Sequence, residues 1–306
     1  MKILLTGAYA YKEPQLAQLR ELGLELVMMP DERGDLPKEA QDAEITVCNN
    51  LFLYHDLSLF PRLRCVQLTS AGLDRVPVAK LQEKGIVLYN ARGVYSIPMA
   101  EFALWGVLSL YKQANFFYSN QKNHIWEKHR GLSELSGGRV CVVGCGSVGQ
   151  ACADCFHALH MQVTGVDLVE PKSDSFDRYC PVTQIGQALK DADVVILTVP
   201  LTKETEHLIS EKTLEQFKPG AVLVNIARGG VVDPEALIAA LQNGFLGGAV
   251  LDVFETEPLS CDSPLWDMEN VLVTPHNSFV SQNNNDRLFA VILKNLQTFL
   301  KGETEK

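Results

Sequence analysis

Short apolar runs alternate with helical patterns along most of this chain. Four runs lie in the first hundred residues, at 3–5, 45–48, 66–68 and 86–88. Six more lie at 140–143, 162–166, 194–199, 222–226, 248–251 and 271–273. Near-continuous runs of Val, Ile and Leu are typical of parallel strands whose two faces are both covered by helices. The pattern therefore predicts an α/β fold built from two doubly wound parallel-sheet domains.

Two longer helical patterns bracket the second series. Residues 98–117 are apolar and nearly free of helix-breaking residues, which predicts one buried helix that links two domains. Residues 287–300 predict a terminal helix with apolar positions at Leu288, Val291, Ile292, Leu296 and Leu300. If this helix packs on the first series, residues 97–282 form an inserted domain, and residues 1–96 with 283–306 form the other. The charged tail at 301–306 is expected to fray.

Composition and charge limit the kinds of partner and the cellular compartment that we expect for this protein. The net charge is −10 and the basic residues are scattered, whereas a nucleic-acid-binding domain carries a basic face. No apolar stretch reaches the roughly 18 residues of a membrane-spanning helix. The first residues lack the apolar segment and cleavage site of a secretory signal. We therefore expect a cytoplasmic protein with no nucleic-acid or membrane partner.

The eight cysteines raise the question of a metal or redox site. Cys152 and Cys155 have CxxC spacing, and Cys141 and Cys145 lie nearby, so a zinc site or a redox pair is conceivable. However, Cys141 falls in a predicted strand, and the CxxC pair falls inside a predicted helix rather than at its first turn, where a thiolate is favoured. Buried thiols that act as small hydrophobic side chains are the better interpretation, and no metal is expected.

A glycine-rich loop follows the predicted strand at 140–143. It fits the pattern G-x-G-x-x-G and consists of Gly144, Cys145, Gly146, Ser147, Val148 and Gly149. Because it lies between a strand and an amphipathic helix, it predicts a dinucleotide-binding domain of the Rossmann type. The first glycine permits the turn, the second lets the backbone approach a pyrophosphate, and the third lets the helix pack on the strand. The diphosphate would then lie at the helix N-terminus.

Asp167 closes the next predicted strand, 18 residues after Gly149. This is close to the spacing of a carboxylate that binds the adenosine ribose, and a carboxylate there repels a 2′-phosphate. The sequence therefore favours NAD over NADP. Val199 and Pro200 end a later strand and are expected to line the cofactor crevice at the same edge of the sheet.

Three ionisable residues follow three later strands: Arg228, Glu257 and His276. Reversible reduction of a 2-oxo acid needs a group that binds the carboxylate, which suits the donor fork of Arg. It also needs a proton donor for the carbonyl oxygen, which suits His, and a carboxylate that orients the imidazole, which suits Glu. Each residue alone has a structural explanation, but three at neighbouring strand ends after a dinucleotide loop predict a catalytic set.

Several further motifs accompany these residues in a fixed order. These motifs span residues 69–74, 100–104, 134–137, 200–205, 225–232, 252–258 and 274–276. With them, nearly the whole chain resembles the D-isomer-specific 2-hydroxyacid dehydrogenase family, which includes phosphoglycerate, glyoxylate/hydroxypyruvate and D-lactate dehydrogenases. The resemblance implies two α/β domains around a cleft, with a Rossmann-type NAD domain inserted into a flavodoxin-like substrate domain. It also implies a homodimer formed through the NAD domain, with the helix at 98–117 in that interface.

The resemblance assigns a role to each matching residue. It implies that Arg228 binds the substrate carboxylate and carbonyl, and that His276 is the acid–base residue with Glu257 as its partner. Backbone donors to the substrate carboxylate would come from Ser70, Ala71 and Gly72. Asp252 would face the nicotinamide carboxamide and Asp167 the ribose. The remaining residues expected at the cofactor are Val199, Pro200, Thr205 and Ala227.

The substrate and the class of function stay open at this point. Residues 51–58 contain Tyr54 and His55 but no Arg or Lys, which favours a small uncharged substrate side chain, although Arg92 and Lys122 could reach in from elsewhere. The leading hypothesis is an NAD-dependent dehydrogenase that interconverts a small 2-oxo acid and the D-2-hydroxy acid. A short 3-phosphoglycerate dehydrogenase is the alternative within enzymes. An NAD(H)-sensing binding protein, as in the corepressors that resemble this family, is the alternative outside them.

Overall fold

The structure, a computed structural model, describes residues 1–302. Its strands are β1 Lys2–Thr6, β2 Glu25–Met29, β3 Ile45–Cys48, β4 Cys65–Leu68, β5 Val87–Tyr89, β6 Arg139–Val143, β7 Gln162–Asp167, β8 Arg178–Pro181, β9 Val194–Leu197, β10 Val222–Asn225, β11 Gly248–Leu251 and β12 Val271–Val273. Its α-helices are α1 Glu13–Glu21, α2 Leu51–Tyr54, α3 Val78–Glu83, α4 Ser96–Tyr111, α5 Ala114–Lys122, α6 Ser147–Ala158, α7 Ile185–Leu189, α8 Glu211–Leu214, α9 Pro234–Gln242 and α10 Asn284–Leu300.

The chain divides into two compact units. The first consists of residues 1–95 together with the C-terminal segment from 281, and the second consists of residues 96–280. The first unit contains a five-stranded parallel sheet in the order β2-β1-β3-β4-β5. The C-terminal helix α10 packs on this sheet through Leu288, Phe289, Ile292 and Leu296. Asn295 of that helix also donates to the side chain of Gln67 in β4 at 2.8 Å.

The second unit contains a seven-stranded parallel sheet in the order β12-β11-β10-β9-β6-β7-β8. Successive residues of its central strand β6 enter opposite cores: Val140 and Val142 pack on one face, and Cys141 and Val143 on the other. Helices α4 and α6 cover one of these faces. Because both faces are buried, the strands carry the continuous apolar runs seen in the sequence. The two parallel sheets confirm the predicted α/β class.

Both strands that the apolar pattern missed lie at sheet edges. β2 has a mixed pattern with Glu25 and Met28 exposed, and β8 carries Arg178 and ends at Pro181. An edge strand has one unpaired side and tolerates exposed and charged residues, which interrupt the apolar run in β2 and β8, whereas the edge strands β5 and β12 keep theirs.

The single helix predicted at 98–117 is wrong, because the chain breaks there into α4 and α5. Gln113 adopts a left-handed φ of 54° between the two helices. A left-handed residue ends a helix by turning the chain away from the helical path. The terminal helix also begins earlier than predicted, at Asn284 rather than at 287.

Within residues 1–302, no helix is both long and apolar enough to cross a bilayer. In the same part of the chain, no three His, Cys, Asp or Glu side chains are grouped so that they could hold a metal ion. All eight cysteines are free, Cys141 lies in β6, and Cys152 is buried within α6 as predicted. Of the tail expected to fray, residues 303–306 lie outside the described residues.

Candidate active site

Three adjacent strands of the second unit deliver the predicted catalytic residues to one edge of the sheet. In the parallel order β10-β11-β12, Asn225 pairs with Leu251, and Leu251 pairs with Val273. Arg228 and His276 each follow a strand end by three residues, and Glu257 follows the end of β11 by six, after Asp252. Because all three strands run in the same direction, their carboxyl ends meet at a single edge.

His276 and Glu257 form a hydrogen-bonded pair. The Nδ1 atom of His276 lies 2.9 Å from Oε2 of Glu257, and both side chains are about one-third exposed, at 34% and 38%. The other oxygen of Glu257, Oε1, accepts from the backbone N–H of Phe254 at 3.1 Å. The bond from Phe254 therefore fixes the carboxylate of Glu257, and this carboxylate in turn orients the imidazole of His276 through Nδ1. This leaves Nε2 as the ring nitrogen that is available to exchange a proton with a substrate.

Asp252 holds the loop that carries His276. Its side chain is fully buried. Its Oδ1 accepts from the hydroxyl of Thr274 and the N–H of Asn277, both at 2.7 Å, and its Oδ2 accepts from the N–H of Ser278 at 2.9 Å. The backbone carbonyl of Asp252 also accepts from the N–H of His276 at 2.7 Å. These bonds hold His276 at a left-handed φ of 52°. Sequence reasoning assigned Asp252 to the nicotinamide and missed this contact with the loop.

Arg228 lies in the turn after β10, where it is half-buried. Its guanidinium Nη1 donates to the carbonyl of Ala227 at 2.7 Å, and its own carbonyl accepts from Asn225 Nδ2 at 3.1 Å. The next residue, Gly229, packs so closely that an added Cβ would lie 1.9 Å from the carbonyl carbon of Phe254. Only glycine allows this approach, and it presses the Arg228 turn against the loop that leads to Glu257.

The glycine loop after β6 fits a dinucleotide. Gly144 has a φ of 95°, and an added Cβ would lie 2.9 Å from the backbone nitrogen of Val199. At Gly149 an added Cβ would lie 1.8 Å from the carbonyl oxygen of Gly144, so α6 packs directly on the turn. At Gly146 no atom lies within 4 Å of such a Cβ, so the backbone is open to a ligand there. Gly146 also supplies no side-chain cap to α6. The first N–H groups of the helix, at Ser147 and Val148, therefore remain for a pyrophosphate.

Asp167 lies at the end of β7, beside this loop. Its Oδ2 accepts from the N–H of Cys145 and its Oδ1 from the N–H of Leu168, both at 2.6 Å. The carboxylate is thereby fixed at the edge where an adenosine ribose would lie. Burial, followed by the charge of Asp167, raises the pKa of the Cys145 thiol to about 12.

The other predicted cofactor residues lie along the same edge of the seven-stranded sheet. Val199 and Pro200 follow β9, and the hydroxyl of Thr205 donates to the carbonyl of Pro200 at 2.6 Å. Thr205 also accepts from the N–H of Thr202 at 2.7 Å, so it stabilises its own loop. The N–H of Ala227 donates to Asn225 Oδ1 at 3.1 Å. Ala227 can therefore contact a cofactor through its surface but has no backbone N–H left to donate to it.

Ser70, Ala71 and Gly72 lie at the carboxyl end of β4 in the first unit. The chain's own donors occupy their carbonyls: Ala91 N–H bonds to that of Ser70 at 2.9 Å, Asn90 Nδ2 to that of Ala71 at 2.7 Å, and Ser70 Oγ to that of Gly72 at 3.0 Å. Within residues 1–302, the N–H groups of the three residues have no hydrogen-bond acceptor. This loop therefore offers donors, as an incoming carboxylate requires.

Two further side chains at these edges were missed in the sequence. Glu32, which is only 7% exposed, accepts the N–H groups of Asn49 and Asn50 at 2.7 Å each and thereby fixes the loop after β3. His207 Nε2 lies 3.4 Å from Glu255 Oε1, which joins the loop after β9 to the loop that leads to Glu257. Both are contacts between residues far apart in the sequence, and no local motif signals them.

Comparison with known proteins identifies the family of the chain. Residues 104–278 match the family model described as the D-isomer specific 2-hydroxyacid dehydrogenase, NAD binding domain. The chain is 35% identical over 246 residues to an (S)-sulfolactate dehydrogenase of Chromohalobacter salexigens, and the matched region covers 80% of each of the two chains. It is 31% identical to a glyoxylate reductase of Thermococcus gammatolerans over 99% of this chain and 93% of that protein.

A solved structure leads to the same family. A D-isomer specific 2-hydroxyacid dehydrogenase family protein from Aeromonas salmonicida superposes with a TM-score of 0.86 at 32% identity, over 99% of this chain and 96% of that one. The chain therefore belongs to the D-isomer-specific 2-hydroxyacid dehydrogenase family as an NAD-dependent oxidoreductase, which confirms the family and the cofactor that the sequence predicted.

Proposed function

We propose that this enzyme reduces a 2-oxo acid to the D-2-hydroxy acid, with His276 as the acid–base residue, Glu257 as its partner and Arg228 as the group that binds the substrate carboxylate. NADH supplies the hydride when it is bound. The observation that carries the proposal is the 2.9 Å bond between His276 Nδ1 and Glu257 Oε2, because it orients one ring nitrogen and leaves the other to donate a proton.

Each remaining residue contributes binding or orientation. Ser70, Ala71 and Gly72 donate backbone N–H groups to the substrate carboxylate, and Arg228 adds the charged donor fork. Gly144, Gly146, Ser147, Val148 and Gly149 hold the cofactor pyrophosphate, and Asp167 holds the ribose. Val199, Pro200, Thr205 and Ala227 line the rest of the cofactor site. Asp252 fixes the loop of His276, with a contact to the nicotinamide amide as its second role.

The test is NADH oxidation with a panel of 2-oxo acids, which includes glyoxylate, pyruvate, hydroxypyruvate, 2-oxoisocaproate and phenylpyruvate. The reverse reaction of 3-phosphoglycerate with NAD, and NADPH in place of NADH, run beside it. Turnover of at least one 2-oxo acid with a preference for NADH is expected. Turnover of 3-phosphoglycerate alone would keep the reaction class but replace a small uncharged 2-oxo acid by a phosphorylated one, as in a phosphoglycerate dehydrogenase. NADH binding without turnover of any substrate would favour a sensing protein.

The variant His276→Gln tests the role of the imidazole. Glutamine keeps a polar side chain of similar length but cannot donate and recover a proton near neutral pH. We expect kcat to fall by roughly 10²- to 10⁴-fold while the Kd for NADH stays within about threefold. A parallel loss of NADH affinity, measured by cofactor fluorescence, would contradict the acid–base assignment and indicate a structural role.

We also propose a homodimer formed through the NAD-binding unit, in the cytoplasm. Large aromatic side chains are exposed on that unit, above all Trp126, which is 98% exposed, together with Tyr118 and Trp105. Such a surface favours association with a second copy. Light scattering coupled to gel filtration tests the mass, and a monomer that retains full activity would contradict the dimer. Free thiols suit the reducing cytoplasm, which cell fractionation tests.

A further inference from the structure

Arg75 places a positive charge at the carboxyl edge of the five-stranded sheet. It follows β4 by seven residues, and its Nη1 crosses to the neighbouring loop after β3, where it donates to Asn50 Oδ1 at 3.1 Å. Its side chain remains 45% exposed. The guanidinium therefore lies over the gap between the ends of β3 and β4, the same edge that carries Ser70, Ala71 and Gly72. Arg75 lies outside the 51–58 segment from which a small uncharged substrate side chain was expected.

The partner of Arg75 is held rigidly. The backbone N–H of Asn50 donates to Glu32 Oε2 and that of Asn49 to Glu32 Oε1, both at 2.7 Å, and Glu32 is buried. Since the Asn50 backbone is fixed, its side-chain oxygen sets the position of the Arg75 fork. Nη1 is bonded to Asn50 and Nε is paired with Asp74, so Nη2 is the nitrogen of the fork from which a second acceptor is bound.

Charges around this edge favour an anion. Glu32 is enclosed by donors, including the hydroxyl of Thr6 at 2.7 Å. Asp74 is a carboxylate beside this arginine, with Oδ2 3.8 Å from Arg75 Nε, so the two form an ion pair on the Nε side of the guanidinium. Arg92 is a second exposed arginine, in the segment after β5, where its backbone N–H donates to Asn90 Oδ1 at 3.2 Å. Two arginines thus flank the donor loop at 70–72 on the β3 and β5 sides.

We propose that Arg75 determines substrate specificity by binding a second anionic group, a sulfonate, phosphate or carboxylate on C3 of the 2-oxo acid. This rests on the proposed function, since Ser70, Ala71 and Gly72 then bind the 1-carboxylate that every 2-oxo acid carries. Arg75 binds only the substituent that distinguishes a dianionic from a monoanionic substrate. Its planar fork suits all three anions.

The experiment compares sulfopyruvate, oxaloacetate and phosphohydroxypyruvate with pyruvate and 2-oxoisocaproate as substrates for NADH oxidation. The wild-type enzyme is expected to have the highest kcat/KM for one of the three dianionic acids, with a KM that rises with ionic strength more steeply than that of pyruvate. In Arg75→Gln, the KM of that acid is expected to rise roughly 10- to 100-fold, while kcat/KM for pyruvate changes less than about threefold.

Two variants serve as controls. Arg20→Gln removes the same charge from α1, where Arg20 pairs with Glu13 at 2.6 Å, and is expected to leave both classes of substrate unchanged. Arg75→Lys keeps the charge but loses the fork, and is expected to recover part of the loss. If Arg75 only supported the loop through Asn50, its loss would raise the KM of pyruvate equally.

Equal losses for both classes, or a wild-type preference for pyruvate with no salt difference, would overturn the role of Arg75 while leaving the proposed function intact. Absence of turnover with every acid would instead refute the proposed function, and the inference with it. Should Arg75→Gln fail to fold, the substrate ranking and salt dependence of the wild-type enzyme decide the question.

Discussion

Two loops, one in each unit, are each held by a buried carboxylate that accepts backbone N–H groups. The two loops carry different kinds of residue. In the second unit, buried Asp252 accepts the N–H groups of Asn277 and Ser278. In the first unit, buried Glu32 accepts the N–H groups of Asn49 and Asn50. The loop held by Asp252 carries His276, which must exchange a proton. The loop held by Glu32 carries only the amide that orients Arg75.

The difference separates catalysis from recognition. His276 has a left-handed φ and a fixed partner at Nδ1, so its geometry depends on the anchor at Asp252. Arg75 is an exposed side chain whose position depends on its bond to Asn50 and its ion pair with Asp74. Loosening the first loop should therefore lower kcat, and loosening the second should raise the KM of the 2-oxo acid.

The largest effect is expected from Asp252→Asn. Either orientation of the new amide places its NH₂ against a donor of the loop, so at least one buried N–H loses its acceptor, at about 1–3 kcal/mol in the free energy of unfolding. Displacement of the imidazole should lower kcat by roughly 10²-fold. Denaturant unfolding and steady-state kinetics measure the two effects.

The matched control is Thr274→Val, which removes only the hydroxyl donor to Asp252 Oδ1 and keeps both backbone donors. Its kcat should fall less than about tenfold. The affinity for NADH distinguishes the two roles of Asp252, which are to hold the loop of His276 and to contact the cofactor directly. If Asp252→Asn weakened NADH binding as much as turnover, the cofactor role would dominate and the comparison between the two loops would fail.

A smaller and different effect is expected from Glu32→Gln. The stability loss should be similar, about 1–3 kcal/mol, because the same kind of buried donor loses its acceptor. The kinetic effect should appear in the KM of the 2-oxo acid, which should rise several-fold, with kcat within about threefold. A fall in kcat comparable to that of Asp252→Asn would show that both loops serve the proton transfer.

The smallest effect on activity is expected from two thiols, whose reactivity reports on these edges without a change in the catalytic residues. Cys48 ends β3 and is fully buried, and burial together with the charge of Glu32 raises the pKa of its thiol. Cys145 is partly exposed, and burial and Asp167 raise its pKa to about 12. Both thiols are therefore protonated at pH 8, and alkylation of Cys145 should accelerate about tenfold for each pH unit from 7 to 10.

Mass spectrometry of iodoacetamide-treated protein follows both positions, with exposed Cys261 as the reference that reacts first. Cys48 should react only when the first edge opens, so Glu32→Gln should accelerate it and Asp252→Asn should not. Rapid labelling of Cys48 in the folded wild-type protein would contradict the rigidity assigned to its loop.

The sequence predicted the reactive residues better than it predicted what holds them. Arg228 and Glu257 follow the interior strands β10 and β11, and His276 follows the edge strand β12. All three strands have continuous apolar runs, so parallel pairing alone brings their carboxyl ends to one edge. The inward orientation of Asp252 depends on β12 lying beside β11, which no local pattern specifies. The contact between Glu32 and Asn49 spans 17 residues and has no motif.

The elements that were missed have physical reasons too. β2 and β8 lie at sheet edges, where exposed and charged positions interrupt the apolar run. The break between α4 and α5 occurs at Gln113, with no Gly or Pro to mark it. A left-handed conformation is uncommon for a residue other than glycine, so residue propensity alone predicted a continuous helix here.

The carbonyls of Ser70, Ala71 and Gly72 are bonded within the chain, so the loop presents its partly positive N–H groups to a ligand. The chain's own donors occupy all three carbonyls, and within residues 1–302 the three N–H groups have no acceptor, so the segment resembles the N-terminus of a helix in its local charge. It would select for the ionised state of a ligand. An ester, amide or aldehyde of the same carbon skeleton presents fewer lone pairs and no charge, so the loop would exclude the uncharged relatives of the substrate before any chemistry begins.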